Sequence, residues 1–492
     1  MGKIRQNILL ILILAINLAV VLYPTFLTPL PVTQTDGLTY FETSKQLADT
    51  GDFFAELQDF IPAKGDEATH INEFLPAPIV YMAGFIKIFG ERIVINGGAL
   101  GILLVLANFY LYLLVKKLTG SRNIALITTL FNAINFRLYF LLFGGNWANV
   151  CAMAFSIPAI YYYLEYLEKN KKSSLILVSC SLILVAGSHT VQFLFTICLM
   201  IGLWIGIKVL KNARIKLPEI KFDLGVLGEK TISTIIYTIL ISVVAFMATF
   251  IPFVLAGTRT YWVSEWIDYL KFYDKVPQFW HYGIITDGPV LIILGFAGFI
   301  YAFYKQNWKI LGLAIPSFII VNLTNFLVPD EIWLSLFVYR YQAFHFIILT
   351  ILTAYLAFEM MKSVPKLKKI CFAILTVGVL WQAALLGLLV AEIEPAITQD
   401  ELASAQYLND LGADFWLVNN ISGASSFRSY EWILAYGDGN KENVSTSITE
   451  ELFDHDYLMI QDGTVLSQDE IKMLEGIDSV FEQGVVSIYK ND

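Results

Sequence analysis

The sequence predicts a polytopic α-helical membrane protein that ends in a small α/β domain in water, and three observations predict it. Apolar residues make up 57% of the 492-residue chain and charged residues only 15%, with a mean hydropathy of +0.63. A soluble domain sits nearer half apolar and a quarter charged. The apolar residues come in runs of about 20, such as Ile8–Leu27, without the alternation that a membrane barrel would need. In lipid only helices or closed barrels satisfy the backbone, so helices are chosen. The charge is also split. Residues 392–492 carry 4 Lys+Arg against 20 Asp+Glu, a net −16, within a whole-chain charge of −9.

The spans expected in order are Ile8–Leu27, Val94–Leu114, Ile124–Leu142, Val150–Leu167, Leu175–Gly187 and Val191–Leu210. Ile232–Ala256, Val290–Tyr304, Ile310–Val328, Val338–Met361 and Ile370–Val390 follow. Residues 1–391 thus form a membrane domain of about 11 spans. Lys3 and Arg5 precede a first run too long for a signal-peptide core, with no small-residue cleavage site, so that run reads as a retained span. Basic loops stay on the cytoplasmic side. Six Lys/Arg clusters, from Lys3/Arg5 to Lys362–Lys369, fall on one side if eleven spans cross. The N-terminus is then inside. Loop 31–90, the Gly144–Asn149, Ser188–Thr190 and Gly257–Pro289 connections, and residues 392–492 are outside. This scheme needs Phe74–Phe89, which is short and carries Pro76, Pro78 and Lys87, to be a juxtamembrane or re-entrant helix on the outer side.

The acidic tail reads as a small α/β domain. Helices are expected at Asp400–Asp410 and Gln468–Leu474, and strands at Asp414–Asn419, Tyr457–Gln461 and Val485–Tyr489. Two of the three Asn-x-Ser/Thr tripeptides lie in it, which fits an outer location. It holds no Gly-rich phosphate loop and no nucleophile motif. All four cysteines lie in apolar runs and read as packing. Nothing in the composition points to nucleic acid, which asks for a basic patch.

Loop 31–90 is the most informative stretch. Asp36 comes a few residues after the first span and opens a helix over Gly37–Ala48. It reads either as a helix N-cap or as a general base or hard-cation ligand at the membrane boundary. Glu42, Asp49 and Asp52 read chiefly as a solvated face. Asp66, Glu67, His70 and Glu73 cluster without a standard metal-ligand spacing, so a polar loop is the plainer reading and a divalent cation stays open. His189, between two apolar runs, is either a satisfied interfacial histidine or a functional group at membrane depth. Arg340, near the outer end of its span, suits bidentate phosphate contact or snorkelling to the interface. Arg137 and Arg259 are lesser candidates of the same kind. The loop Gly257–Pro289 is dense in rings, Trp262 and Trp266 among them, which suits an interfacial belt and a sugar-binding cleft alike.

A first span leading to an outer Asp, a helix running into Thr50-Gly51-Asp52-Phe53, and a Pro-containing helix closing on Phe89-Gly90 resembles the GT-C superfamily of membrane glycosyltransferases. That group includes protein O-mannosyltransferases, aminoarabinose transferases and oligosaccharyltransferase catalytic subunits. Gly145-Asn146-Trp147 and Ser188-His189 are similar to features of its prokaryotic members. The resemblance implies transfer from a polyprenyl-phosphate-linked sugar on the outer face. Asp36 would be the base or a metal-linked acid, with an arginine such as Arg340 or Arg259 on the phosphate. Glu42, His70, His189, Trp262 and Trp266 would contact substrate. The partners implied are the polyprenyl- or dolichyl-phosphate sugar, membrane lipid, and a glycan, lipid or protein acceptor. Many members carry a second acid in the next outer loop. Here that loop, Phe143–Asn149, has none, which puts metal dependence in doubt. The Trp-Trp-Asp motif of oligosaccharyltransferases is absent too, arguing against en bloc transfer to Asn. The rival readings are a transporter or flippase for a lipid-linked sugar and a non-catalytic assembly protein. No internal repeat favours transport.

Overall fold

The fold was analysed in a computed structural model. It describes residues 3–32, 35–51, 76–210, 288–327 and 333–391, and most of 393–490 except 420–430, 438–443 and several shorter stretches. The first helix, α1 (Lys3–Leu27), has 25 residues and is about 37 Å long at 1.5 Å per residue, enough for a hydrocarbon layer of about 30 Å. Ile4, Ile11 and Phe26 on it are 76%, 65% and 75% exposed. Side chains this apolar stay outward only when the surroundings are lipid rather than water. α1 is followed by α2 (Thr35–Thr50), α3 (Pro76–Phe89), the short α4 (Glu91–Ile95) and α5 (Gly98–Thr119). Then come α6 (Arg122–Ala133), α7 (Phe136–Phe143), α8 (Trp147–Lys169), α9 (Lys172–Ala186) and α10 (Thr190–Trp204), which ends in a π-helical turn, Ile205–Leu210. Past residue 287 lie α11 (Pro289–Tyr304), α12 (Trp308–Leu327), α13 (Trp333–Ser363) and α14 (Lys368–Ala391).

Six helical stretches among the described residues are long and apolar enough to cross a membrane, and five further apolar helices are shorter. The expected spans Leu175–Gly187, Val191–Leu210, Val290–Tyr304 and Ile310–Val328 coincide with shorter ones. Span Ile232–Ala256 lies outside the described residues. Two expected spans are interrupted as helices, although Ile124–Leu142 still lies within one candidate crossing, Arg122–Phe143. Val94–Leu114 divides at Gly97, whose φ of 69° is left-handed and favours glycine, so α5 starts at Gly98 and runs on to Thr119. Ile124–Leu142 divides at Ile134-Asn135. There the Asn135 side chain accepts the Arg137 N–H (3.1 Å) and caps α7, a local bond that competes with continuing the helix.

The bundle is locked by polar contacts that hydropathy does not reveal. Asn108 of α5 donates to Asn17 Oδ1 of α1 (3.3 Å) and to the Thr129 carbonyl of α6 (3.2 Å), and accepts from Asn132 (3.2 Å). Tyr139 of α7 accepts from Asn17 (2.5 Å) and donates to the Ala133 carbonyl (2.7 Å). Helices α10 and α12 cross on glycines: a Cβ on Gly202 would collide with the Gly312 carbonyl and Pro316.

The two ends of the bundle differ. At one end Lys117 pairs with Glu165 (2.9 Å) and Glu168 (3.2 Å), and Lys309 pairs with Glu168 (2.5 Å). The residues expected to be inside therefore meet. At the other end, α2 and α3 pack together, and the Ala77 N–H of α3 donates to Gly187 O (2.8 Å) in the turn before α10.

The chain after α14 forms α15 (Gln399–Leu411), β1 (Phe415–Val418), α16 (Glu431–Gly437), β2 (Val444–Ser445), β3 (Tyr457–Ile460), α17 (Gln468–Leu474), β4 (Ser479–Gln483) and β5 (Val486–Lys490). Strand order is β2-β1-β3-β5-β4, with β1 parallel to β2 and β3, and β5 antiparallel to β3 and β4. Capping boxes, Thr398 with Glu401 and Ser467 with Glu470, start α15 and α17. Val418, Ile448, Leu452, Leu458 and Ile460 form one apolar cluster of this unit. Phe415, Leu417, Trp432, Met459 and Ile488 belong to a core that continues into the membrane helices.

Candidate active site

Asp36 lies in the first turn of α2, which begins at Thr35, two residues before the expected start. Its side chain lies outside the described residues. The strap that delivers α2 is fixed by Asn96, a fully buried side chain at the C-terminus of α4. Asn96 Oδ1 accepts the Val32 N–H (3.0 Å), and its amide donates to the Thr28 carbonyl (3.3 Å). Thr28 Oγ1 accepts the Leu30 N–H (3.0 Å), and Pro31 O accepts the Ala396 N–H (2.6 Å). The backbone of residues 28–32, ahead of Asp36, is thus held from the α4–α5 turn and from the segment after α14.

α2 is amphipathic because its apolar residues recur at helical spacing. Leu38, Phe41, Leu47 and Ala48 are buried together with Tyr40 and Ser44, while Glu42, Lys45, Gln46, Asp49 and Thr50 face outward. The Tyr40 ring lies 6.4 Å from that of Trp147, in the Gly-Asn-Trp turn that opens α8. Trp147 is fully buried and donates its indole N–H to the Leu142 carbonyl (2.9 Å). On its other side, Phe41 packs on Trp432 of α16 (5.9 Å, 42°), and Trp432 stacks on Tyr436 (6.2 Å, 27°). An open cleft of about 330 Å³ follows this seam. Glu42 lines it with Lys45, Asp49 and Tyr436, so the expected substrate contact Glu42 is solvated and also borders a cavity. Lys45 is paired with Glu91 (3.3 Å). Burial, and next the Glu91 and Glu42 carboxylates, push the Tyr436 phenol up to about 12.

His189 is the N-cap of α10, its Nδ1 accepting the Gln192 N–H (3.2 Å). Gln192 reaches Ser156, whose hydroxyl bonds Thr196 (2.8 Å). The turn holding His189 and the helix holding Glu42 share α3 as a neighbour. Arg340 lies in α13, with its side chain outside the described residues. His70, Arg259, Trp262 and Trp266 also lie outside them. Among the described residues no group of three or more His, Cys, Asp or Glu side chains could hold a metal ion.

Arg137 is fully buried in α7. His345 of α13 is likewise buried; its Nδ1 bonds the Ser317 hydroxyl of α12 (2.8 Å) and its ring meets Phe318 edge-on (4.8 Å). Three features escaped sequence reasoning. His345 could have been found by the rule applied to His189, an ionisable group inside an apolar run. Trp432 and Tyr436 carried an i, i+4 aromatic signal. Asn96 carried a turn signal, in Asn96-Gly97-Gly98, but no sign of its bonds to Thr28 and Val32.

No protein-family model matches the chain, and no curated protein matches it. Solved structures do match in fold. The Archaeoglobus fulgidus oligosaccharyltransferase, in complex with Zn and sulfate, is 12% identical, with a TM-score of 0.55 over 92% of this chain and 67% of that one. ArnT from Cupriavidus metallidurans in the apo state is 11% identical, with a TM-score of 0.50 over 98% of this chain and 97% of that one. This multi-pass membrane chain therefore shares its fold with that oligosaccharyltransferase and with ArnT.

Proposed function

We propose that the chain is a glycosyltransferase that moves a sugar from a polyprenyl-phosphate-linked donor to an acceptor at the outer membrane face. The observation that carries the reading is the fold shared along nearly the whole chain with an oligosaccharyltransferase and ArnT. In this reading an acceptor hydroxyl oxygen attacks the anomeric carbon while the bond from that carbon to the phosphate oxygen breaks. The lipid phosphate leaves with the electron pair, the hydroxyl proton passes to Asp36, and the anomeric configuration inverts. Arg340, with Arg259, offsets the charge on the leaving phosphate, and Glu42, His70, His189, Trp262 and Trp266 contact substrate. The fixed strap into α2 supports the role of Asp36, since a base must be held in place before the substrate arrives. The N-terminus is inside. Residues 392–492 form an extracytoplasmic domain beside the loop 31–90 that carries the site. The grouping of the expected inner residues in one ion-pair network at one end of the bundle supports this.

The test is Asp36→Asn, assayed for sugar transfer from a polyprenyl-phosphate donor in liposomes. Removing a general base costs about 10²–10⁴-fold in rate. The variant is expected to insert normally and to lose transfer by at least that factor. Wild-type transfer by Asp36→Asn would overturn the assignment.

A further inference from the structure

We infer that the cleft between α2 and α16 is a saccharide-binding subsite that presents the acceptor to the start of α2. The inference rests on the proposed transferase reading and adds the chemical class of the acceptor. The cleft's volume, about 330 Å³, lies within the roughly 300–1,000 Å³ of small-molecule sites. Its lining follows one stripe of α2, from Leu38 through Glu42, Lys45, Gln46 and Asp49 to Thr50. That stripe starts two residues beyond Asp36 and runs about 18 Å along the axis, at roughly 1.5 Å per residue.

The chemistry of the walls selects the occupant. Phe41 and Trp432 form the buried floor, and half-buried Tyr436 borders it. Tyr436, the most exposed of the three rings, is the one open to the cleft, and a ring face carries a negative quadrupole that suits the apolar C–H face of a pyranose. The polar wall offers acceptors at Glu42, Asp49 and the Thr50 hydroxyl oxygen, whose O–H donates to the Gln46 carbonyl (3.0 Å), and a side chain that both donates and accepts at Gln46. Sugar hydroxyls have the same dual character. A phosphate is disfavoured here, because two carboxylates line the cleft and Lys45, the one ammonium among its described lining residues, is engaged with Glu91. A lipid tail is disfavoured by the charged walls. The donor phosphate therefore belongs elsewhere, and the cleft is left to the acceptor.

The experiment uses the full chain in lipid nanodiscs over an array of immobilised glucose, mannose, galactose and N-acetylglucosamine oligosaccharides. The wild type is expected to be retained on at least one of these, and inorganic phosphate is expected not to compete. The double variant Gln46→Ala/Asp49→Ala alters two exposed side chains and so leaves packing intact. It is expected to bind about tenfold more weakly, the loss of about two hydrogen bonds. No retained glycan, competition by phosphate, or wild-type affinity in the double variant would each overturn the inference. Asp36→Asn separates the two readings. An inactive Asp36→Asn alongside a double variant of wild-type affinity sinks the subsite and keeps the transferase. A fully active Asp36→Asn alongside a weakened double variant sinks the transferase mechanism and keeps the subsite.

Discussion

Trp432→Ala is the sharpest probe of how the C-terminal unit is held on α2. Trp432 is 1% exposed and touches Phe41 on α2 and Tyr436 on its own helix. Truncating a buried Trp costs about 3–5 kcal/mol through lost transfer energy and the cavity left behind. About 0.5–1.5 kcal/mol of that belongs to the ring pair with Phe41, the part that couples α2 to α16. A chain of this kind does not unfold in one step, so a melting midpoint would blur the effect. Native-state hydrogen exchange resolves it element by element. At about 1.4 kcal/mol per factor of ten, amides of α16 and the adjoining β1 should exchange about 10²–10⁴-fold faster. Helices α5 and α8 should be unchanged. A cycle with Phe41→Ala should show a coupling of about 1 kcal/mol, well above the ~0.3–0.5 kcal/mol scatter of independent sites. Acceleration of α16 by less than about tenfold, or strict additivity with Phe41→Ala, would refute the seam.

Three other perturbations follow from contacts described above. Asn108→Ala removes three buried hydrogen bonds. At about 0.6 kcal/mol each within a membrane, it should lower stability by about 2 kcal/mol in graded SDS unfolding, where no change would count against the network. Gly202→Ala should cost about 1–3 kcal/mol, because its Cβ meets backbone as well as the Pro316 ring; the thermal midpoint in detergent reads this, and an unchanged midpoint would refute the close crossing. Hydrogen bonds from the Ser467 side chain and backbone and from the Ile448 N–H hold the Glu470 carboxyl below its ordinary range. Its stabilisation is present above the unfolded value of about 4.3 and is lost as pH falls below it. Exchange protection of α17 should therefore drop on acidification below about pH 4, and Glu470→Gln should flatten that dependence.

Much of the fold was legible because hydropathy and capping act locally. The runs at Val150–Leu167 and Ile370–Val390 became α8 and α14, and Gln468–Leu474 was placed to the residue. The break at Gly97 carried a turn signal in Asn96-Gly97-Gly98 that the hydropathy of the run outweighed, whereas the break at Asn135 rests on capping geometry that the run does not announce. α16, β2 and β4 were missed for another reason. They are short, and pairing with distant partners decides them: β2 has two residues and exists through β1. At the site, Asp36 and Glu42 could be picked out because acids beside a span are conspicuous. Asn96 could not, because its role rests on Thr28 and Val32, more than sixty residues earlier in the chain.

The seam between Phe41 and Trp432 joins residues about 390 positions apart, so it sets a schedule for biosynthesis. At about 5–20 residues per second, α2 emerges roughly 20–80 s before its partner α16 is made. Throughout that wait Phe41 lacks its ring partner. A helix fully apolar at this place would sink into the bilayer or capture another span. The polar stripe of Glu42, Lys45, Gln46 and Asp49 keeps α2 at the surface until about the last eighth of the chain arrives.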